Sequence, residues 1–357
     1  MTQTGALPQT RLTKLLGIRY PIVQTGMGFV ADAKLTAATS EAGGLGVLAA
    51  GLLKPAELRA AIHDIRALTD APFGVNLRAD HPNSGEMTDI LLQEQVKVAS
   101  FALAPKAELI AKLKDAGVVV IPSIGARRHA EKVAALGVDA VVVQGAEGGG
   151  HTGGVPTTLL TPQVVDAVEI PVIAAGGFFD GRGLVAALAY GADGIAMGTR
   201  FLLTQESPVA DSVKRRYLAA AVTDTVVTRE IDGVPQRVLN GGPVAALEGS
   251  NPVTRLVRAT RNAIAFQQLS GDSWRDMLRE GWAMKRSHDL SLSQVVMAAN
   301  APMLYRAGLY EAREDIGVVA SGQVVGLIED LPTCAELIER IVAEAIDVIG
   351  RFDDRNR

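Results

Sequence analysis

From Tyr20 to Phe201 the chain alternates between two hydrophobic patterns. One is a short, continuously apolar run: Pro21–Thr25, Gly46–Ala50, Phe73–Leu77, Val96–Ala102, Val118–Pro122, Ala140–Gln144, Val172–Ala175 and Gly194–Met197. Runs without polar alternation mark strands buried on both faces, as in a parallel sheet covered by helices. The other pattern spaces apolar residues at helical intervals, as in Lys54–Leu68, Lys106–Ala116, Arg127–Leu136 and Gly181–Ala189. Eight strand-then-helix units predict an α/β chain folded as a compact (β/α)8 TIM barrel.

After Phe201 the rhythm breaks. Residues 202–331 lack regular strand patterns and read as mostly helical, with a Gly/Pro-rich joint at Asn240–Pro243. Cys334–Ile349 is then a clean amphipathic helix, placed to be the eighth helix of the barrel. The expected organisation is a barrel from residues 1–205 plus 332–357. Residues 206–331 form a mainly helical insertion after the eighth strand, a lid or substrate domain.

Composition narrows the function classes. The chain has 357 residues, 48% hydrophobic and 21% charged, which describes an ordinary globular protein. A net charge of −4 and 4% aromatics argue against nucleic acid as the main partner. No apolar run reaches the roughly 18 residues of a membrane span, and the N-terminus does not read as a signal peptide. The one cysteine, Cys334, has no intramolecular partner and suits a reducing cytoplasm. A small-molecule substrate is expected, in a soluble cytoplasmic protein, and a homodimer is compatible with the sequence.

The candidate chemistry lies at the strand ends. Gly26-Met27-Gly28-Phe29-Val30-Ala31 formally matches a dinucleotide fingerprint, but the next strand ends in Leu48-Ala49-Ala50-Gly51 without the acid that binds a ribose. With eight units, these small residues instead let a flat ring lie against the first strand's end. Ala174-Ala175-Gly176-Gly177 and Met197-Gly198-Thr199-Arg200 end the seventh and eighth strands, where TIM barrels hold phosphate. Arg200 either caps that charge or forms an ion pair elsewhere. Asn76, Ser123 and Gln144 stand at matching ends of strands three, five and six and read as a polar ring around a heteroaromatic ligand.

The densest signal is Val143-Gln144-Gly145-Ala146-Glu147-Gly148-Gly149-Gly150-His151-Thr152-Gly153. Its glycines, Gly149 and Gly150 among them, let the backbone approach a ligand closely. His151 is a natural proton acceptor near neutral pH. His63, His129 and His288 read as solvated, while His81 faces the barrel mouth. No metal-ligand spacing, P-loop or nucleophile elbow is present.

Together these motifs resemble the nitronate monooxygenase (2-nitropropane dioxygenase) family of FMN-dependent TIM barrels. The likeness rests on Pro21–Met27, Gly74–Leu77, Gln144–His151, Ala175–Gly177, Met197–Phe201 and a late Ser321-Gly322-Gln323-Val324-Val325-Gly326. Val98–Lys106, Ile121–Ala126, Gly177–Gly183 and Val296–Met303 are most similar to a branch of acyl-CoA dehydrogenases of steroid ring C/D degradation. The resemblance implies FMN, with its phosphate near Gly176, Gly177, Gly198 and Thr199. Thr25, Gly26, Met27, Asn76, Ser123 and Gln144 would line its ring, with Gly149, Gly150, Met197 and Gln323 also at the cofactor. It implies desaturation of a bicyclic CoA thioester with His151 as base; nitronate oxidation and NAD(P)H:quinone reduction are the alternatives. Lys214, Arg215, Arg216, Arg255, Arg258 and Arg261 would suit the CoA phosphates by charge.

Overall fold

A computed structural model describes residues 7–79, 83–102, 104–249 and 300–354, together with 254, 257, 260 and 264. Eight parallel strands close a barrel: β1 (Ile22–Gln24), β2 (Leu45–Ala49), β3 (Phe73–Leu77), β4 (Val98–Phe101), β5 (Val119–Ile124), β6 (Val141–Gln144), β8 (Val172–Ala175) and β9 (Gly194–Met197). All eight expected strands are present. β7 is the two-residue segment Gly150–His151 in the loop after β6, outside the barrel.

The helices form where sequence and capping agree. Pro55–Leu68 starts with proline in its first turn, while the Glu57 side chain accepts from the Lys54 amide at 2.8 Å. Its Leu58, Ile62 and Ile65 form one buried stripe. Gly181–Ala189 is capped by Asp180, which accepts from the Gly183 amide at 2.9 Å. The long helix Cys334–Asp354 lies against Gly181–Ala189 and Ala33–Glu41. It closes the ring of helices as the eighth member, and Gly181 permits the close approach, since a Cβ there would lie 2.4 Å from the Ala345 amide nitrogen.

The barrel interior holds Val23, Leu45, Val47, Val98, Ile121, Val142, Ile173 and Ala196. Leu12 and Leu16 of the helix Arg11–Leu16 join this cluster at the N-terminal end of the strands. Arg11 pins that helix to Asp193 through a 2.7 Å ion pair. With this end plugged, a ligand has the C-terminal mouth to enter.

The described part of residues 206–331 departs from the expectation that it lacks regular strands. Thr225–Thr228 (β10) and Gln236–Leu239 (β11) form an antiparallel hairpin, so the segment does carry regular strands. β-Branched side chains on both arms and an Asp232-Gly233 turn favour it. β11 also pairs with β7, opposing Gln236 to His151 and Arg237 to Gly150. Around the hairpin, a separate core gathers Ile231, Val238, Val244, Leu247, Leu304 and Val318. Among the described residues the insertion's α-helices are Asp211–Leu218, Gly242–Glu248 and Asn300–Tyr305. Among the described residues, no helix is long and apolar enough to cross a membrane.

Cys334 begins the last barrel helix, fully buried between Thr39 and Thr204. Burial, with Glu206 nearby, pushes its thiol up to about 12. The folded protein is therefore expected to resist iodoacetamide at pH 8 and to label only once unfolded, as read by mass spectrometry. Prompt native labelling would contradict this packing.

Candidate active site

Side chains alternate along a strand, so the position two residues beyond an interior residue also points inward. Val23 leads to Thr25, Val98 to Ser100, Ile121 to Ser123, Val142 to Gln144 and Ala196 to Gly198. Gly74 leads likewise to Asn76; a Cβ at Gly74 would touch Val47 and Val98 at 3.4 Å, so it faces the interior. The lining thus turns from aliphatic to small and polar at the C-terminal end, which forms the floor of the mouth. Asn76 donates its amide to Ser100 Oγ at 3.1 Å. Ser100 is the member of this ring that the apolar run of β4 concealed.

Gly26 passes so close to Asn76 that a Cβ would lie 2.4 Å from its Cβ. A Cβ at Gly198 would stand 3.4 Å from both Met27 Sδ and Thr25 Oγ1, which brings the ends of β1 and β9 together. Met197 itself packs in the outer core between sheet and helices, so only its main chain reaches the mouth. Ser123 lies inside β5, one position before its end.

The rim joins the remaining expected cofactor residues except Gly150, which pairs with Arg237 of β11. Gly176 and Gly177 both have left-handed backbone, φ 102° and 80°, which only glycine adopts in succession without strain. A Cβ at Gly177 would lie 3.7 Å from Glu147 Cβ, beside the glycine-rich loop. Glu147 fastens that loop by accepting from the Thr157 amide at 2.9 Å and hydroxyl at 2.7 Å. From the far side of the chain, Gly322 donates its amide to Thr199 Oγ1 at 3.0 Å, and Gln323 donates to the Glu147 carbonyl at 3.0 Å. The cradle therefore comprises Gly149, Gly176, Gly177, Gly198, Thr199 and Gln323, all small or hydrogen-bonding. Successive glycine amides and a hydroxyl suit phosphate oxygens, and the small, polar floor suits a ring. The residues fit a phosphate-bearing heteroaromatic cofactor.

Arg200 takes the second of its two expected roles. It is buried, 2.9 Å from Asp330 Oδ1, and donates also to the Asp330 and Leu203 carbonyls at 2.8 and 2.5 Å. Burial lowers its pKa against the opposing pull of Asp330. Lys214 is likewise unavailable to a CoA phosphate: its buried ammonium donates to the Thr204 and Ser207 carbonyls at 2.7 and 2.8 Å. Arg255, Arg258, Arg261, His81 and His288 lie outside the described residues.

His151 stands apart from the other described histidines. His63 meets Glu94 on the surface, and His129 sits exposed beside Arg128 at the start of the helix Arg127–Ala135. Gln144 donates to the His151 carbonyl at 2.8 Å and the Gly149 carbonyl at 3.3 Å, so its amide shapes the loop as well as the floor. The exposed imidazole places Nε2 2.7 Å from Oδ2 of Asp232 in the hairpin turn. Asp232 is buried, which by itself would raise its carboxyl. The His151 hydrogen bond and charge, the Gln236 side chain and the Val234 amide outweigh this and hold it below the usual carboxylate range. Sequence reasoning missed Asp232; the one available signal was its Asp-Gly turn. Beside the loop a cavity of about 710 Å³ is lined by Thr152, Gly153, Gly154, Thr228, Arg229 and Arg237, among others. Arg237 anchors one wall by donating to the Ala146 carbonyl at 3.0 Å.

The nitronate monooxygenase family model matches residues 9–90 and 86–344. The chain belongs to the nitronate monooxygenase family. Within it, the chain is similar to a Rhodococcus jostii protein named (3aS,4S,5R,7aS)-5-hydroxy-7a-methyl-1-oxo-octahydro-1H-indene-4-carboxyl-CoA dehydrogenase, 60% identical over 96% of this chain and 98% of the relative. A Mycobacterium tuberculosis protein of the same name is 58% identical over 95% and 96%. Among solved structures, FabK from Thermotoga maritima superposes with a TM-score of 0.79 and 34% identity, covering 98% of this chain and all of that one. The family match runs through the insertion that supplies Asp232.

Proposed function

We propose that this oxidoreductase is an FMN-dependent dehydrogenase that desaturates a bicyclic, steroid-derived acyl-CoA beside its thioester. The observation that carries the reading is 60% identity, along nearly the whole chain, to a protein named for that dehydrogenation. The site agrees with it. Gly176, Gly177, Gly198 and Thr199 would hold the FMN phosphate, with Gln323 and Gly149 bracing the rim. Thr25, Gly26, Met27, Asn76, Ser123 and Gln144 would meet the ring. Bound flavin supplies the acceptor for a hydride from the substrate β-carbon.

The protein's own contribution is proton handling and placement. A thioester acidifies the hydrogen on its α-carbon, and His151 takes that proton as the C–H electron pair forms the new double bond. Loss of one proton and one hydride from adjacent carbons leaves an enoyl thioester, and an external acceptor removes the two electrons. The cavity beside Thr152 and Gly153 offers room for the substrate's long arm, with Arg229 and Arg237 on its wall.

The test is anaerobic titration of the flavin-loaded protein, followed by visible absorbance near ~450 nm. The bicyclic acyl-CoA should bleach the flavin, while a propyl nitronate and NADH should not. Bleaching by the nitronate alone would move the protein to nitronate oxidation, the activity that names its family. Bleaching by NADH would move it to quinone or enoyl reduction.

A further inference from the structure

The insertion brings the Asp232 carboxylate to the candidate base. Asp232 lies 81 residues from His151 in sequence, yet the β7–β11 pairing sets them in contact. Its two oxygens have different work. Oδ1 accepts from the Val234 amide at 3.1 Å, which is the ordinary use of an aspartate in a turn. Oδ2 points out of the turn to His151 Nε2 at 2.7 Å. Behind it, Gln236 sits opposite His151 in the ladder, fully buried, and its Oε1 accepts from the Tyr305 hydroxyl. That bond fixes the Gln236 amide with its NH2 available to the carboxylate, and burial pushes the Tyr305 phenol up so that it remains a donor. The groups acting on Asp232 are thus His151, Gln236, the Val234 amide and the neutral Tyr305.

We propose that Asp232 is the positioning residue of the active site: it accepts the Nε2–H of His151, holds the ring in one tautomer and leaves Nδ1 as the nitrogen that takes the substrate proton. A buried, ionised carboxylate with one oxygen committed to a turn presents the other to His151, with the Gln236 amide behind it. Among the described residues, Asp232 is the buried anchor of the exposed imidazole. The arrangement parallels the general logic by which a carboxylate orients a catalytic imidazole without itself taking the proton. It also assigns the insertion a catalytic task, since the hairpin carries the anchor and β11 carries its support.

The inference rests on His151 being the base, and two measurements separate the two claims. The first is ¹⁵N NMR of the imidazoles in the substrate-free protein, with the His151 signals identified by their loss in His151→Asn. The neutral ring should be the Nε2–H tautomer; finding Nδ1–H overturns the inference regardless of any activity. The second is Asp232→Asn, which keeps an oxygen for the Val234 amide but turns an NH2 toward Nε2. The flavin should still bind, the NMR tautomer should shift, and the rate of flavin reduction should fall roughly a hundred-fold or more with substrate affinity little changed. Full-rate reduction in Asp232→Asn, beside a slow His151→Asn, removes Asp232 and leaves the base in place. Full rate in both removes the base and with it anything to position.

Discussion

Replacing His151 with asparagine is expected to leave FMN bound and to slow its reduction by the acyl-CoA by ~10²–10⁴-fold, the usual contribution of a general base. Asparagine fills similar space and still offers the Asp232 carboxylate an N–H, so the β7–β11 pairing should survive. What it lacks is a nitrogen that can take a proton near neutral pH. Flavin affinity should be unchanged, because the imidazole forms no part of the Gly176–Gly177 or Gly198–Thr199 cradle. Anaerobic stopped-flow reduction at saturating substrate isolates the chemical step from binding and reoxidation. The same substitution at His63, on the far surface with Glu94, is the control and should change nothing. A His151→Asn rate within a few-fold of the native protein would remove His151 from the mechanism.

Barrel strands were legible because their environment is uniform. β3, β6 and β8 meet core on both faces, so their sequences are largely apolar with one readable meaning. Their polar ends stood out for the same reason, as with Asn76 and Gln144. Ser100 was hidden by that uniformity: in Val98-Ala99-Ser100-Phe101 one serine looks like tolerated variation, and only alternation from Val98 shows that it faces the mouth. The hairpin was missed for an opposite reason. β10 is half-buried and only four residues long, a window too short for periodicity to distinguish from loop.

β7 could not have been read locally at all. A Gly-His dipeptide has no strand propensity, and its pairing is decided by β11, more than eighty residues later. The same long-range contact delivers Asp232, so the His151–Asp232 pair exists only at the tertiary level. The cations of the insertion misled in the complementary way. Lys214 reads as a solvated or anion-binding charge, yet its position on the helix Asp211–Leu218 turns it inward onto two carbonyls.

Gly149→Ala should loosen the cofactor site as strongly as any change outside the chemistry. A Cβ at Gly149 would lie 2.6 Å from the Gly322 amide nitrogen and 2.6 Å from the Ser321 carbonyl carbon. Both obstacles are backbone, so no side chain can swing aside and the two segments must separate. Separation strains the Gly322-to-Thr199 and Gln323-to-Glu147 hydrogen bonds, each 3.0 Å, that tie the late segment to the rim. Overpacking of this kind costs about 1–3 kcal/mol. If the strain falls on the closed rim, FMN should bind roughly five- to a hundred-fold more weakly. Quenching of free-flavin fluorescence during titration of the apoprotein gives the affinity directly. Gly154→Ala is the matched control: it lies in the same loop, a Cβ there meets nothing within 4 Å, and its affinity should equal that of the native protein. Equal FMN affinity in Gly149→Ala would mean that the Ser321–Gln323 segment braces the loop without shaping the phosphate cradle. The cofactor's hold would then rest on the strand ends of β8 and β9 alone.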